Sequence, residues 1–255
     1  MSSAPIRLAV VGTGYVGLTT GACFAHVGHH VVCGDIDERK VALLNDGHIP
    51  IVEEGLEAIV NESRAAGRLE FVLGSAVAAA DADIVFLCVP TPQGDDGSAD
   101  LSYIQQAAAE IAPVLKPGAV VVNKSTVPVG STLAVERVLQ REDVYVVSNP
   151  EFLREGTAVY DFLHPDRVVI GSANRAAAER VAELYATIDT PILITDPASA
   201  ETIKYAANGF LAMKISFVNA VAAMCEAVGA DVASVVDGIG SDQRMNLRLV
   251  RFFDS

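Results

Sequence analysis

Short β-branched runs recur along most of the chain, at "RLAVV", "HVVCG", "DIVFLCV", "AVVVNKS", "VYVVS" and "RVVIGS", with helical stretches between them. Strands alternating with helices imply right-handed βαβ units, and so an α/β fold with a doubly wound, mostly parallel sheet covered by helices on both faces. The connection "PTPQGDDGSADLSY" is rich in Pro, Gly and Asp and predicts a long surface loop at a strand's C-terminal end. In open α/β sheets that edge is where ligands bind.

From about Ser199 the pattern changes. "SAETIKYAANGFLAMKISFVNAVAAMCEAVGADV" predicts one long helix, with Ser199 as the candidate N-cap and Gly229 as the stop. About 30 residues at 1.5 Å each give roughly 45 Å, too long for a helix that only covers a sheet. Lys204, Lys214 and Asn219 interrupt its apolar surface, which argues against a membrane span. A helix this apolar on most sides is expected to be buried against another domain or subunit. The predicted organisation is a sheet domain over 1–198 and the start of a helical, dimer-forming region over 199–255.

Composition narrows the class. A 51 % apolar content supports a sizeable core, and a formal net charge of -14 with no Lys/Arg run argues against nucleic acid or an anionic membrane as partner. The apolar opening is punctuated by glycines and lacks a small-residue cleavage site, so it predicts strand, turn and helix rather than a secretory signal. Cys23, Cys33, Cys88 and Cys225 show no Cys-x-x-Cys spacing. They are expected to be core residues of a reduced, cytoplasmic protein, with no metal site.

"VVGTGYVG" sets Gly12, Gly14 and Gly17, with Tyr15 and Val16 between them, in G-x-G-x-x-G spacing after a strand and at a helix start. In a Rossmann-like fold the first glycine makes the turn, the second admits a pyrophosphate, and the third lets helix and strand pack closely. The helix N-terminus then offers free N–H groups to the phosphates. Asp35 ends the next strand about 20 residues on, where a carboxylate accepts hydrogen bonds from a ribose diol and repels a 2′-phosphate. NAD is therefore expected rather than NADP. Asp37 fits a helix cap better than a ligand, and Lys40 either reaches the adenosine side or stays in solvent.

"NKSTVPVGST" ends a strand with Lys124, Ser125 and Thr126, small hydroxyls beside the expected nicotinamide. "SNPEFLREG" ends the next. If that segment takes a helical turn, Glu151 and Glu155 share a face and can split their pKa values for proton transfer; alternatively they are a solvated, acid-rich helix start. On the long helix Glu201, Lys204 and Asn208 recur at helical spacing. Lys204 and Asn208 can stabilise a developing oxyanion, or Lys204 is a surface lysine paired with Glu201.

Taken in order, "VVGTGYVGL", "GDIDERKVALLN", "VPTPQ", "KSTVPVGST", "NPEFLREGTAVYDFLHPDRVVIG" and the long-helix segment resemble the UDP-glucose 6-dehydrogenase family. The resemblance implies an NAD-linked, cytoplasmic enzyme that oxidises C6 of UDP-glucose twice, to UDP-glucuronate. It implies that Asp35 and Lys40 hold the adenosine end of NAD and that Thr91 and Thr126 contact the cofactor. Thr126 and Glu155 would order a catalytic water. Glu151, Phe152, Leu153, Arg154 and Glu155 would line the sugar site, with Lys204 and Asn208 stabilising the oxyanion. Two subunits would pair as a homodimer through the helix around residues 200–228.

After "SDQRM" the chain departs from the family pattern, which continues into a glycine-rich stretch carrying a nucleophilic cysteine. None of the four cysteines stands in that motif, and the UDP-binding domain of the pattern is absent from these residues. The expectation is a dehydrogenase lacking its cysteine segment, or an NAD-binding, dimerising module without independent catalysis. A different hydroxyacid-type dehydrogenase is the weakest alternative, because of "NPEFLREG".

Overall fold

In the computed structural model, residues 5–94 and 97–242 are described. The elements run β1 (Arg7–Val11), α1 (Tyr15–His26), β2 (His30–Asp35), α2 (Glu38–Asn45), α3 (Leu56–Ala65), β3 (Leu69–Leu73), α4 (Ser75–Ala79), β4 (Ile84–Leu87) and α5 (Ser102–Ile111). They continue β5 (Val120–Asn123), α6 (Ser131–Leu139), β6 (Tyr145–Ser148), α7 (Ala158–Leu163), β7 (Val168–Gly171), α8 (Arg175–Glu183), β8 (Ile192–Thr195), α9 (Pro197–Val228) and α10 (Val232–Gly240).

One eight-stranded sheet is ordered β3-β2-β1-β4-β5-β6-β7-β8. Every neighbouring pair is parallel except β6 with β7, which meet antiparallel. Strand order reverses between β1 and β4, opening a crevice at their carboxyl ends. The fold is therefore the expected Rossmann-like, mostly parallel α/β sheet followed by a long helix. Two strands, β3 and β8, join those read from the sequence.

Successive strand side chains face opposite ways, and the core splits accordingly. Leu8, Val10, Val31, Ile84, Phe86, Val120 and Val122 pack with α1, α3 and α8, whereas Ala9, Val11, Val85, Leu87 and Val121 pack with α4, α5 and α6. Phe24 anchors α1 in the first layer, its ring 5.1 Å from that of Phe86 and 5.0 Å from that of Phe162. Such contacts hold the helix, and so the glycine loop at its start, against the sheet.

The chain divides into two compact units, Met1–Tyr205 and Ala206–Ser255. The expected N-cap of the long helix is corrected: α9 begins at Pro197, and Asp196 caps it, its carboxylate accepting from the Ser199 N–H at 2.9 Å and the Ser199 hydroxyl at 2.6 Å. Proline at the first helical position loses no hydrogen bond and leaves the cap to the residue before it. By length and composition α9 is apolar enough to cross a membrane, with a mean hydropathy of 1.5 over 18 residues. Its first two turns, however, bury the charged Glu201 and Lys204. In the second unit, Asp231 caps α10 through the Ser234 N–H, and Val218 of α9 and Val236 of α10 are buried. The sequence segment from Gln243 onward, including Arg244 and Met245 of "SDQRM", lies outside the described residues.

Candidate functional site

The crevice between β1 and β4 holds a cleft of about 470 Å³. Gly12, Gly14, Tyr15, Val16, Asp35, Lys40, Thr91, Thr126 and Glu151 all line it. Thus residues from five separate stretches of the sequence meet at the sheet's carboxyl edge.

The glycine loop is built by sterics. Gly12 sits at φ +94°, a left-handed conformation, and a side chain there would come 2.7 Å from the Cys88 carbonyl oxygen. A Cβ on Gly17 would overlap the Gly12 carbonyl outright, so this position closes α1 onto the loop beneath the cleft. Gly14 differs: nothing lies within 4 Å of where its side chain would begin. It is the N-cap of α1, with no side-chain cap and no acid in the first turn. The helix's unpaired N–H groups are therefore reachable from the cleft through an open flank, which suits an anionic group.

Asp35 ends β2 and is 7 % exposed. Its Oδ2 accepts from the Thr13 N–H at 2.9 Å, the Thr13 hydroxyl at 2.5 Å and the Lys40 ammonium at 3.0 Å, while Oδ1 accepts from the Asp37 N–H at 3.0 Å. Burial raises the carboxyl's pKa, but the Thr13, Asp37 and Lys40 hydrogen bonds outweigh it and hold it down to about 2. The result is an ionised acceptor at the cleft's far end. Asp37 caps α2, accepting from the Arg39 and Lys40 N–H groups. Lys40 is placed against Asp35 rather than free in solvent.

The opposite wall comes from the loops after β4 and β5. Thr91 Oγ1 donates to the Thr126 carbonyl at 2.9 Å, and Ser125 Oγ to the Val89 carbonyl at 2.7 Å, so the two loops are stitched side by side. Below them Lys124 is buried, its Nζ 3.1 Å from Asn149 Oδ1 and 3.4 Å from the Tyr185 hydroxyl. Burial pushes this ammonium down to about 8, and Lys204 nearby adds to that, against Cys88 and Glu151.

The segment after β6 corrects one expectation. Residues 151–154 form no helical turn, so Glu151 and Glu155 do not share a helix face. Proline at position 150 removes a donor and Glu151 turns back on its own chain, Oε2 accepting from the Leu153 N–H at 2.6 Å. Glu151 Oε1 accepts from Lys204 Nζ at 2.8 Å, whereas Glu155 is exposed. Phe152 lies beneath the Arg167 guanidinium, 3.8 Å from ring centroid to cation, and Lys204 Nζ stands 5.3 Å from the same centroid. Arg154 reaches Asp161 with both its Nε and Nη2, and Leu153 is half-buried.

The pairing of Lys204 with Glu201 is also overturned. Glu201 is 2 % exposed and accepts from the Gly130 N–H at 2.6 Å, the Thr132 N–H at 2.9 Å and the Thr132 hydroxyl at 2.7 Å. It caps the start of α6 from outside, because the amides there need an acceptor and no local side chain supplies one. Lys204 is thereby left to Glu151. Asn208 follows one helical turn after Lys204 and belongs to the second unit.

Sequence reasoning missed one wall of the cleft. Tyr103, Gln106, Ala107 and Glu110 of α5 line it. Their i, i+3, i+4, i+7 spacing marks one helix face, a signal available in the sequence but carried by no chemistry-bearing motif.

Comparison with known proteins agrees with this geometry. Residues 6–189 match the NAD binding domain of the UDP-glucose/GDP-mannose dehydrogenase family, and residues 198–252 match the central domain of the same family. The chain is 46 % identical over 251 residues to a UDP-glucose 6-dehydrogenase of Bacillus subtilis, covering 96 % of this chain and 57 % of that protein. It is 48 % identical over 255 residues to a UDP-glucose 6-dehydrogenase of Rhizobium meliloti, covering 96 % of this chain and 58 % of that protein. Among solved structures, a UDP-glucose dehydrogenase from Pyrobaculum islandicum superposes with a TM-score of 0.92 at 41 % identity, covering 95 % of this chain and 58 % of that one. The chain thus spans about half the length of the curated relatives it matches.

Proposed function

Because the chain belongs to the UDP-glucose/GDP-mannose dehydrogenase family, we propose that it holds NAD in the β1/β4 cleft and serves the oxidation of UDP-glucose at C6 to UDP-glucuronate. One observation carries this reading: the bare flank of Gly14 at the start of α1 and the Asp35 carboxylate at the end of β2 open on the same cleft. The first suits a pyrophosphate and the second a ribose diol, so the residues present fit the cofactor. When bound, NAD supplies the oxidising equivalents for both steps.

The chain's own residues bind, orient and stabilise. Asp35 and Lys40 hold the adenosine end; Tyr15, Val16, Thr91 and Thr126 flank the cofactor. Thr126 and Glu155 order a water, and the segment Glu151, Phe152, Leu153, Arg154 and Glu155 lines the sugar site. Lys204 and Asn208 stabilise negative charge developing on the C6 oxygen. Support for Lys204 comes from its burial and from its partner, since Glu151 itself lines the cleft.

A second reading, an NAD-binding, dimerising module without catalysis of its own, is favoured by the cysteines. All four are buried, and burial pushes the Cys88 thiol, the one lining the cleft, up to about 12. Aldehyde-to-acid oxidation through a thiohemiacetal needs an available thiolate. The chain is cytoplasmic in this proposal and pairs with a second copy through residues 200–228, where Phe210, Leu211, Met213 and Ile215 are exposed.

Calorimetry with NAD tests the shared premise, and NADH formation with UDP-glucose separates the two readings. NAD binding with steady turnover supports the dehydrogenase and sinks the module; NAD binding without turnover does the reverse. No NAD binding sinks both. Light scattering on the purified chain checks the pairing, which a clean monomer would contradict.

A further inference from the structure

The segment between α2 and α3 reverses the usual burial code. Val52 is 100 % exposed, and its neighbour Glu53 is 8 % exposed. Burying a carboxylate is costly unless donors surround it, so the arrangement calls for a reason. Its donors are neutral and come from far along the chain. Glu53 Oε2 accepts from the Tyr15 hydroxyl at 2.6 Å and the Gly156 N–H at 2.9 Å, and Oε1 accepts from the Ala158 N–H at 2.5 Å.

These donors belong to two different parts of the site. Tyr15 is the first residue of α1 and lines the cleft beside Gly14. Gly156 and Ala158 close the segment that begins at Glu151. The Tyr15 hydroxyl also lies 2.8 Å from the Arg154 carbonyl oxygen, within the same segment. Its single proton is thus shared between Glu53 and the segment's backbone. Partial burial, with the hydrogen bond to Glu53 second, pushes the Tyr15 phenol well above its ordinary range, so the hydroxyl remains the donor and the carboxylate the acceptor.

We infer that Glu53 is a positioning residue that couples occupancy of the dinucleotide cleft to the conformation of residues 151–158, through Tyr15. The inference rests on the reading of the cleft as an NAD site. An anion seated at the start of α1 constrains Tyr15, and Tyr15 constrains the carboxylate on which the Gly156 and Ala158 amides hang. A carboxylate is required because it accepts at both oxygens. A glutamine would turn its NH2 either against the Ala158 N–H or against the Gly156 N–H.

The test is hydrogen–deuterium exchange resolved to single amides, on the full chain with and without saturating NAD. In the unaltered chain NAD is expected to slow exchange in the glycine loop and, by at least about fivefold, at Gly156 and Ala158. In Glu53→Gln the loop is still slowed, but the NAD-dependent ratio at Gly156 and Ala158 falls to near unity. A merely structural Glu53 would speed exchange equally with and without NAD and leave that ratio unchanged, which would overturn the inference. Slowing in the loop without slowing at Gly156 and Ala158 in the unaltered chain would overturn it too. Should Glu53→Gln fail to fold, Tyr15→Phe keeps the ring, deletes only the hydroxyl, and must lose the same ratio. If NAD slows no amide in the loop, the NAD reading of the cleft fails first, and its failure is visible separately.

Discussion

The Lys204 ammonium and the Glu151 carboxylate stand 2.8 Å apart, with side chains only 7 % and 12 % exposed. Removing one member of such a pair strands the other as a buried charge. Glu151→Gln should therefore lower stability by about 3 kcal/mol, read as a lower urea midpoint with unchanged slope. Adding Lys204→Met should recover part of that loss. Strict additivity of the two substitutions would show that the pair is not coupled.

The two glycines of the α1 start should respond in opposite ways. Gly17→Ala drives a methyl into the Gly12 carbonyl and should unfold the loop or the whole sheet domain, seen as lost helix signal or a sharply lower melting temperature. Gly14→Ala meets nothing and should fold normally. Its methyl occupies the flank through which a pyrophosphate would approach, so calorimetry should show NAD binding weakened by tenfold or more, about 1.4 kcal/mol. Equal NAD affinity in Gly14→Ala would contradict the placement of the phosphates.

If the cleft holds the dinucleotide as proposed, Asp35 sets the choice between cofactors. Its carboxylate stays ionised down to about pH 2, so at neutral pH a 2′-phosphate meets a full like charge. Binding of NADP should be weaker than that of NAD by at least about tenfold, and Asp35→Asn should narrow the gap by losing NAD rather than by gaining much NADP. The same carboxyl contributes stability that is complete above its ordinary value near 3.8 and lost as pH falls toward 2.

Lys124 predicts a pH dependence of the same sign in a far more alkaline window. Its ammonium is pushed from near 10.5 down to about 8. Between those values the unfolded chain holds a proton that the folded chain has released, so stability rises with pH across that window. The penalty is present in full below pH 8. Relative to Lys124→Met, the unaltered chain should gain roughly 3 kcal/mol between pH 7.5 and 10.5 in chemical denaturation. Asn149 Oδ1 keeps the Tyr185 hydroxyl as donor in that variant, at 2.7 Å. Parallel pH profiles would refute the assignment.

The sheet's interior was legible because its strands are apolar on both faces and separated by helices, a pattern written in neighbouring residues. β3 and β8 were not, since they form the sheet's edges: Glu70 and Leu73 of β3 and Ile192 and Leu193 of β8 are exposed, and an exposed edge strand loses the continuous apolar run. The glycine loop of Gly12, Gly14 and Gly17, and Asp35 at the end of β2, were legible for a related reason, being close in sequence and fixed by one turn. Partners such as Glu201 with Thr132, or Glu53 with Ala158, stand 69 and 105 residues apart and leave no periodic trace. The helical turn expected at Glu151 failed because a side chain's bond to the backbone two residues on competes with helix, which spacing alone does not reveal.

The burial of every cysteine gives the molecule a built-in clock. Cys23, Cys33 and Cys88 are sealed in the first unit and Cys225 in the second, with burial raising the thiols of the first three. Alkylation by a thiol reagent then waits on local opening, and mass spectrometry of the labelled chain timestamps each unit's unfolding without any added probe. A single early adduct would report Cys225 alone, whereas the other three would be modified together when the sheet gives way.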